Sequence, residues 1–198
     1  MDIIKQSAET AERKAELRKQ LRSMRRALDI SEVEAASRSV CAKLASLGEF
    51  REAGLILAYM AAKNELDVSY AVSAALELGK RVAFPLCIED GGLRLLVPND
   101  PSAFTVGSYG ILEPDPLRSS EVLPDELELV IVPAVAFSPE LQRLGQGGGY
   151  YDRLLERTNA FTVGVGYDFQ LVSDIPIEKH DAPLDCVILP SHTLVRLR

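Results

Sequence analysis

Residues 129 to 135 read Leu129-Val-Ile-Val-Pro-Ala-Val135, a β-branched and continuously apolar run. Such a run is typical of a strand that is buried on both faces in the centre of a sheet. Around it, strands and helices alternate along the chain. Helices are predicted over 11–28, 31–47, 68–78 and 150–157, and strands over 55–60, 81–88, 93–97, 162–167 and 186–189. This order predicts an α/β fold of three layers, with a largely parallel central sheet and right-handed connections.

Local signals refine this prediction. The turn sequence Asp90-Gly91-Gly92 indicates that the strand over 93–97 returns antiparallel, as a hairpin at the edge of the sheet. Ser31 and Glu34 have the spacing of a capping box, which would begin the second helix of an N-terminal helical pair. Residues 1–10 are expected to form a flexible arm. Residues 98–124 are rich in Pro, Gly and Ser and are predicted to be mostly loop, with a short extended piece near 110–112.

The composition is that of one globular domain over residues 1–198. There are 22 Lys and Arg against 29 Asp and Glu, a net charge of −7, which argues against a general nucleic-acid-binding protein. The longest apolar run, 129–137, is far shorter than the roughly 20 residues of a membrane span. The three cysteines are far apart and lack zinc-site spacing, and the N-terminus is polar. These features predict reduced thiols in a cytoplasmic protein that binds neither nucleic acid nor membrane.

A glycine-rich segment is the strongest functional signal. It reads Arg143-Leu-Gly-Gln-Gly-Gly-Gly-Tyr-Tyr-Asp-Arg153, with four glycines in five positions between a buried strand and a helix. Glycine lets backbone N–H groups converge on a ligand, so the segment predicts an anion cradle, most often for phosphate. It has neither the Gly-Lys-Ser/Thr of a Walker loop nor the third glycine of a dinucleotide fingerprint. The alternative is a flexible surface loop.

Carboxylates near strand and helix ends suggest further roles. Asp152 in the first turn of a helix and Asp185 at the start of the last predicted strand are candidate magnesium ligands. Asp152 could equally interact with its helix dipole, and Asp185 could be a turn residue. Glu65, just past the first strand, could bind an amine-rich ring or cap the next helix.

Four cations fall on one flank of the first helix: Lys14, Arg18, Arg22 and Arg25. They form either an exposed charged surface or a ridge from which one or two cations reach a bound polyphosphate. His180 and His192 have no partner pattern that would mark a catalytic base, and there is no Ser-His-Asp or Cys-His set.

The glycine-rich segment resembles the signature of the 5-formyltetrahydrofolate cyclo-ligase family, also called methenyltetrahydrofolate synthetases. Further matches run in order along nearly the whole chain: Lys14-x-x-x-Arg18, the Glu65 segment, Gly110 to Pro114, Val132 to Phe137, Gln170, Ile175-Pro176, His180-Asp181 and Pro183-Leu184-Asp185. The chain departs from the family at Gln146 and Gly148, which some members replace by larger or basic residues, and at Leu189 to His192.

The resemblance implies an ATP- and Mg²⁺-dependent cyclisation of 5-formyltetrahydrofolate to 5,10-methenyltetrahydrofolate. In the family, ATP phosphorylates the formyl oxygen, the neighbouring anilinic nitrogen closes the ring, and phosphate leaves. By carry-over, ATP would be held by Lys14, Arg18, Arg143, Leu144, Gly145, Gln146, Gly147, Gly148, Gly149, Tyr150 and Tyr151. The reduced folate would meet Met60, Glu65 and the loop from Gly147 to Tyr150, and Mg²⁺ would be held by Asp152 and Asp185.

Two other functions remain open at this point. One is a different small-molecule enzyme on the same kind of sheet, and the other is a folate or nucleotide sensor that has lost the chemistry. Retention of the cations and carboxylates together favours the enzyme. We expect a monomer or a homodimer, a choice that the sequence does not decide.

Overall fold

The computed structural model describes residues 2–88, 91–107, 110–176 and 183–196. The α-helices are α1 (Asp2–Ala27), α2 (Ile30–Ser46), α3 (Gly48–Glu52), α4 (Ser69–Glu77) and α5 (Tyr150–Leu155). The strands are β1 (Leu55–Leu57), β2 (Arg81–Cys87), β3 (Leu93–Pro98), β4 (Phe104–Val106), β5 (Leu112–Pro114), β6 (Ser119–Val122), β7 (Leu129–Pro133), β8 (Ala136–Phe137), β9 (Arg143–Leu144), β10 (Phe161–Val165), β11 (Cys186–Ile188) and β12 (Thr193–Val195). Within this part of the chain, no helix is long and apolar enough to cross a membrane.

The central sheet confirms the predicted α/β fold. Its strand order is β12-β11-β10-β7-β1-β2-β3-β6 among the described residues. The five strands from β11 to β2 are parallel, and β3, β6 and β12 are antiparallel at the edges. Strand β7 lies between β10 and β1, and its first four residues are fully buried because both faces of the sheet are covered.

The two faces of the sheet are covered by different parts of the chain. On one face, α2, α3 and α4 bury Leu44, Phe50 and Ala75 against the sheet. On the other face, Leu141 and Leu154, which precede and lie in α5, pack on the sheet. Helix α1 packs elsewhere: its Leu21 shares a small apolar cluster with Ala136 and Leu144 of the β8–β9 hairpin. This contact places α1 beside the glycine-rich segment that follows β9.

The N-terminal region differs from the prediction in two respects. Helix α1 begins at Asp2, so the segment expected to be an arm over 1–10 is helical from residue 2 onward. The capping box of α2 uses Asp29 and Glu32 instead of Ser31 and Glu34. Both pairs have the required spacing, but the Asp29 carboxylate accepts the Glu32 N–H at 2.8 Å and also the Ser31 hydroxyl. Glu34 instead pairs with Arg38 one turn later.

The chain over 98–124, predicted to be mostly loop, contains three short strands. The β4–β5 ribbon forms a two-stranded sheet of its own, with Phe104 packed edge-on against Phe84 of β2, and β6 extends the central sheet by pairing with β3. Strand β12 was likewise not predicted. These strands are three or four residues long and carry polar or exposed side chains, so they lack the apolar alternation on which the prediction depended.

Candidate functional site

A cavity of about 230 Å³ opens at the carboxyl edge of the parallel strands. Its lining includes Tyr59, Met60 and Glu65, which follow β1, and Pro133 at the end of β7. Residues 145, 146, 148 and 149 of the glycine-rich loop, the start of α5, and residues 111–113 at the beginning of β5 also line it. The carboxyl edge is where open α/β sheets bind ligands.

The glycines of the loop are required by its backbone and by close approach. Gly147 and Gly149 have φ values of +105° and +68°, which side-chain-bearing residues rarely adopt. At Gly148 the reason is space, because a Cβ there would lie 2.8 Å from Cε2 of Tyr150. The loop therefore presents bare backbone to the cavity, as an anion cradle requires.

Helix α1 holds this loop through its arginines. Arg18 Nε donates to the carbonyl of Gly145 at 2.8 Å, and Arg22 donates to both the side-chain and the backbone oxygen of Gln146, each at 2.9 Å. The described peptide bonds are trans, so the N–H groups of Gln146 and Gly147 point away from these cations. Lys14, one turn before Arg18, is also buried. Arg18 and Arg22 of the cationic flank thus bind the loop, while Lys14 and Arg25 are buried, so the flank is not simply a solvent-exposed charged surface.

Both carboxylate oxygens of Glu65 accept hydrogen bonds from neighbouring groups. Its Oε1 accepts from Arg25 Nη1 and from Gln146 Nε2, both at 3.1 Å, and its Oε2 accepts from the backbone N–H of Ala62 at 3.3 Å. The Glu65 side chain is 17% exposed and the Arg25 side chain 8%. Burial, followed by the neighbouring arginines Arg18, Arg25 and Arg26, lowers the pKa of Arg22. The carboxylate of Glu65 therefore sits in a positively charged environment at the cavity wall.

A second ion pair at the site joins Arg143 and Asp152, which flank the glycine loop in the sequence. The guanidinium of Arg143 donates to Oδ1 of Asp152 and lies 5.9 Å from the ring centroid of Tyr151. The Arg143 side chain is 5% exposed, whereas that of Asp152 is 32% exposed. The Tyr151 hydroxyl is buried and has no hydrogen-bond partner among the residues that the structure describes. Burial also raises the pKa of Tyr151, so this hydroxyl is a protonated donor at neutral pH.

Comparison with known proteins identifies the family to which this site belongs. The family model described as the 5-formyltetrahydrofolate cyclo-ligase family matches residues 10–190. The chain belongs to this family. The membership confirms the resemblance and makes the chain a ligase of folate one-carbon metabolism.

Individual relatives of the cyclo-ligase family agree. The 5-formyltetrahydrofolate cyclo-ligase of Escherichia coli K12 is 32% identical over 177 residues, covering 86% of this chain and 97% of its own length. A probable 5-formyltetrahydrofolate cyclo-ligase of Schizosaccharomyces pombe is 30% identical, covering 82% of this chain and 87% of its own length. The solved structure of Aquifex aeolicus 5,10-methenyltetrahydrofolate synthetase superposes with a TM-score of 0.82 at 34% identity, covering 92% of each chain.

Most of the residues that the cyclo-ligase resemblance suggested for the site line the one cavity: Met60, Glu65, Arg143, Gly145, Gln146, Gly148, Gly149, Tyr150, Tyr151 and Asp152. Its lining does not include Lys14, Arg18, Leu144, Gly147 or Asp185. Gly147 faces the Arg18 guanidinium, and the Leu144 side chain packs in the apolar cluster with Leu21. Residues 111–113 also line the cavity; they belong to the Gly110 to Pro114 stretch that carries part of the resemblance, but no site role was predicted for them. Cys87 lines it too and was missed, because no motif marks it.

Asp185, the second predicted magnesium ligand, does not line the cavity that Asp152 lines. Its Oδ2 accepts from the backbone and the hydroxyl of Thr162 at 3.0 and 2.9 Å, at the amino ends of β10 and β11. Thr162 pairs in register with Val130, whereas Pro133, three residues further along β7, lines the cavity. The described residues contain no cluster of three or more His, Cys, Asp and Glu that would hold a metal ion.

His192 is an exposed residue beside Asp168. His192 Nδ1 lies 3.4 Å from Asp168 Oδ1, and both side chains are exposed. His180 and Asp181, which also carry part of the cyclo-ligase resemblance, lie outside the described residues.

Proposed function

We propose that the chain converts 5-formyltetrahydrofolate and ATP to 5,10-methenyltetrahydrofolate, ADP and phosphate in a reaction that requires Mg²⁺. One observation carries the proposal. A single cavity is lined both by a fixed carboxylate, Glu65, and by a glycine loop with bare backbone. A ring-recognising group and a phosphate-recognising group thus face the same space, as transfer of a phosphoryl group from ATP to a folate requires.

Glu65 is suited to the pterin. The amino edge of a pterin offers paired N–H donors, which a carboxylate accepts with its two oxygens. Arg25 and Gln146 keep Glu65 in place, because both donate to Oε1. Met60, beside Glu65 at the wall, supplies an adaptable apolar contact for the ring.

The glycine loop is suited to the phosphates of ATP. Arg18 and Arg22 bind loop oxygens, which directs the N–H groups of Gln146 and Gly147 away from α1. Lys14 and Arg18 add positive charge behind these groups. Backbone donors and cations fixed before the ligand arrives stabilise a transferring phosphoryl group without reorganisation.

The proposed chemistry uses the substrates' own nucleophiles. The formyl oxygen attacks the γ-phosphorus of ATP, and the bond to ADP breaks. The anilinic nitrogen then attacks the formyl carbon and releases its proton, and the carbon–oxygen bond breaks to release phosphate. Such a reaction needs positioning and charge neutralisation more than a protein nucleophile.

Asp152 fits a magnesium ion that arrives with the nucleotide. Magnesium is commonly held by one or two carboxylates together with substrate phosphates. Arg143 takes Oδ1 of Asp152, which leaves Oδ2 for the metal, at a side chain that is 32% exposed. When bound, Mg²⁺ would neutralise charge on the phosphates.

The test is an absorbance assay for the methenyl product in the near ultraviolet. Purified protein is mixed with 5-formyltetrahydrofolate, ATP and Mg²⁺, and parallel reactions omit ATP or contain a chelator. We expect product only in the complete mixture. Binding of both ligands without product would support the sensor, and absence of folate binding by folded protein would refute the proposal.

A further inference from the structure

The side-chain amide of Gln146 connects the glycine loop to Glu65 within the cavity. Its Oε1 accepts from Arg22 Nε at 2.9 Å, and its Nε2 donates to Glu65 Oε1 at 3.1 Å. We infer that Gln146 is a positioning residue that couples folate binding at Glu65 to nucleotide binding at the glycine loop. This inference rests on the proposed function, because it assigns the two ligands to those two groups.

The bonds around Gln146 form a closed ring. Arg22 and Arg25 are three residues apart and therefore lie on the same side of α1. Arg22 binds Gln146, Gln146 binds Glu65, and Glu65 binds Arg25 at 3.1 Å. Arg22 also holds the backbone oxygen of Gln146 at 2.9 Å, so a shift of the side chain is transmitted to the loop backbone. The ring joins residues that are far apart in the sequence, since Arg22 and Gln146 are separated by 124 positions.

The chemistry of the position requires an amide. The side chain lies between a guanidinium, which only donates, and a carboxylate, which only accepts when ionised. Glutamine has one group of each kind and satisfies both neighbours. Glutamate at position 146 would accept from Arg22 but repel Glu65, and lysine would donate to Glu65 but repel Arg22. Each substitution thus removes one of the two side-chain hydrogen bonds of residue 146, either to Arg22 or to Glu65.

The energetic consequence is a reciprocal coupling. A folate bound to Glu65 fixes that carboxylate, which fixes the Gln146 amide and, through Arg22, the loop that meets the nucleotide. Nucleotide then binds to a loop that is already ordered, and its affinity rises. By linkage, the nucleotide must raise folate affinity by the same factor. We expect a factor of about five or more, the lower end of typical coupling between two sites.

The experiment is a thermodynamic cycle measured by titration calorimetry. The dissociation constant of the β,γ-imido analogue of ATP with Mg²⁺ is measured with and without saturating 5-formyltetrahydrofolate, so that no turnover occurs. The ratio of the two constants is the coupling factor. We expect a ratio of about five in the native protein and close to one in Gln146→Leu, with Gln146→Glu also near one. Gln20→Leu, a matched change at an exposed glutamine on α1, should keep the native ratio.

The outcomes separate this inference from the proposed function. If the folded native protein binds neither ligand, the proposed function fails. If it binds both with a ratio near one, or if Gln146→Leu retains the native ratio, the coupling is refuted while the proposed function stands. A merely local structural role for Gln146 would change the separate affinities and leave the ratio unchanged. Thermal unfolding of each variant verifies that it is folded.

Discussion

Removing the Tyr151 hydroxyl should stabilise the free protein and weaken ligand binding. This hydroxyl is buried without a partner among the described residues, at the wall of the cavity. An unsatisfied buried hydroxyl costs about 1–3 kcal/mol of folding free energy. Tyr151→Phe removes the hydroxyl and keeps the ring, which lies near the Arg143 guanidinium. We expect a gain of about 1–2 kcal/mol, which raises the melting temperature by about 2–8 °C for a chain of this length.

The matched control is Tyr59→Phe. Tyr59 is also a buried tyrosine at the cavity, but its hydroxyl donates to the backbone oxygen of Leu66 at 2.6 Å. Its removal leaves that carbonyl unsatisfied, so the same chemical change should destabilise the protein by about 1–2 kcal/mol. The two variants are compared by calorimetric melting and by urea unfolding at pH 7. Opposite signs are the expected result.

Ligand binding supplies the second half of the test. If the Tyr151 hydroxyl bonds to a substrate, Tyr151→Phe should raise the Michaelis constant of that substrate by about tenfold, which corresponds to about 1.4 kcal/mol. A Tyr151→Phe protein that is less stable than native would show that the hydroxyl already has a partner in the free protein. Unchanged Michaelis constants for both substrates would refute its role as a ligand contact.

Three further substitutions test other parts of the site. Gly148→Ala should raise the Michaelis constant for folate by about tenfold in the absorbance assay, because the new Cβ would lie 2.8 Å from the Tyr150 ring. Asp152→Asn should raise the Mg²⁺ concentration for half-maximal rate and lower the free energy of unfolding by about 1–2 kcal/mol, since buried Arg143 loses its charged partner. Cys41→Ala should flatten the decline of stability between pH 9 and 11. Burial raises the pKa of Cys41 to about 11, so the unfolded chain loses the thiol proton first and native stability falls as pH rises through this window.

Control measurements at positions away from the site distinguish specific effects from general ones. The control for Gly148→Ala is Gly48→Ala, because a Cβ at Gly48 meets nothing within 4 Å, and this variant should leave the folate Michaelis constant unchanged. An equal rise of the Michaelis constant in both variants would contradict the steric explanation at Gly148. Asp174→Asn changes an exposed carboxylate paired with Arg13 and should leave the Mg²⁺ requirement unaltered. For Cys41→Ala, the slope of the free energy of unfolding against pH is compared with that of the native protein. Parallel curves for the two proteins would contradict the role given to the Cys41 thiol.

The sequence predicts the centre of the fold better than its edges. The run from Leu129 to Val132 is apolar because strand β7 is covered on both faces, so burial is visible in the residue types themselves. Strand β6 reads Ser119-Ser-Glu-Val122 and is defined by its pairing with β3 rather than by an apolar pattern. Edge strands are solvated on one side, so they leave a weak signal in the sequence. The start of α1 was missed for a related reason, because residues 2–10 continue the helix without a strong apolar stripe.

The candidate site could be predicted in its residue types but not in its pairings. The glycine loop and Glu65 are local signals, each tied to the end of a predicted strand. The bonds of Gln146 to Arg22 and to Glu65 depend on how α1 packs against the β8–β9 hairpin, which no local pattern encodes. The place of Asp185 in the sheet, in contrast, could be predicted from the sequence. Ligands bind at the carboxyl edge of a parallel sheet, and a residue that precedes a strand lies at the amino edge.

The packing of α1 also argues against the interpretation of the glycine loop as a flexible surface loop. Glycine-rich backbone has more conformational freedom to lose than other sequences, so in isolation this segment would favour the flexible-loop alternative. The carbonyl of Gly145 and both oxygens of Gln146 are bound by arginines whose own helix is anchored by Leu21 in the apolar cluster. Part of the entropy of ordering the loop is therefore offset during folding, before any ligand binds. The bond from Gln146 to Glu65 would transmit folate binding to the rest of the loop, so that a nucleotide has less to order when the folate is already bound.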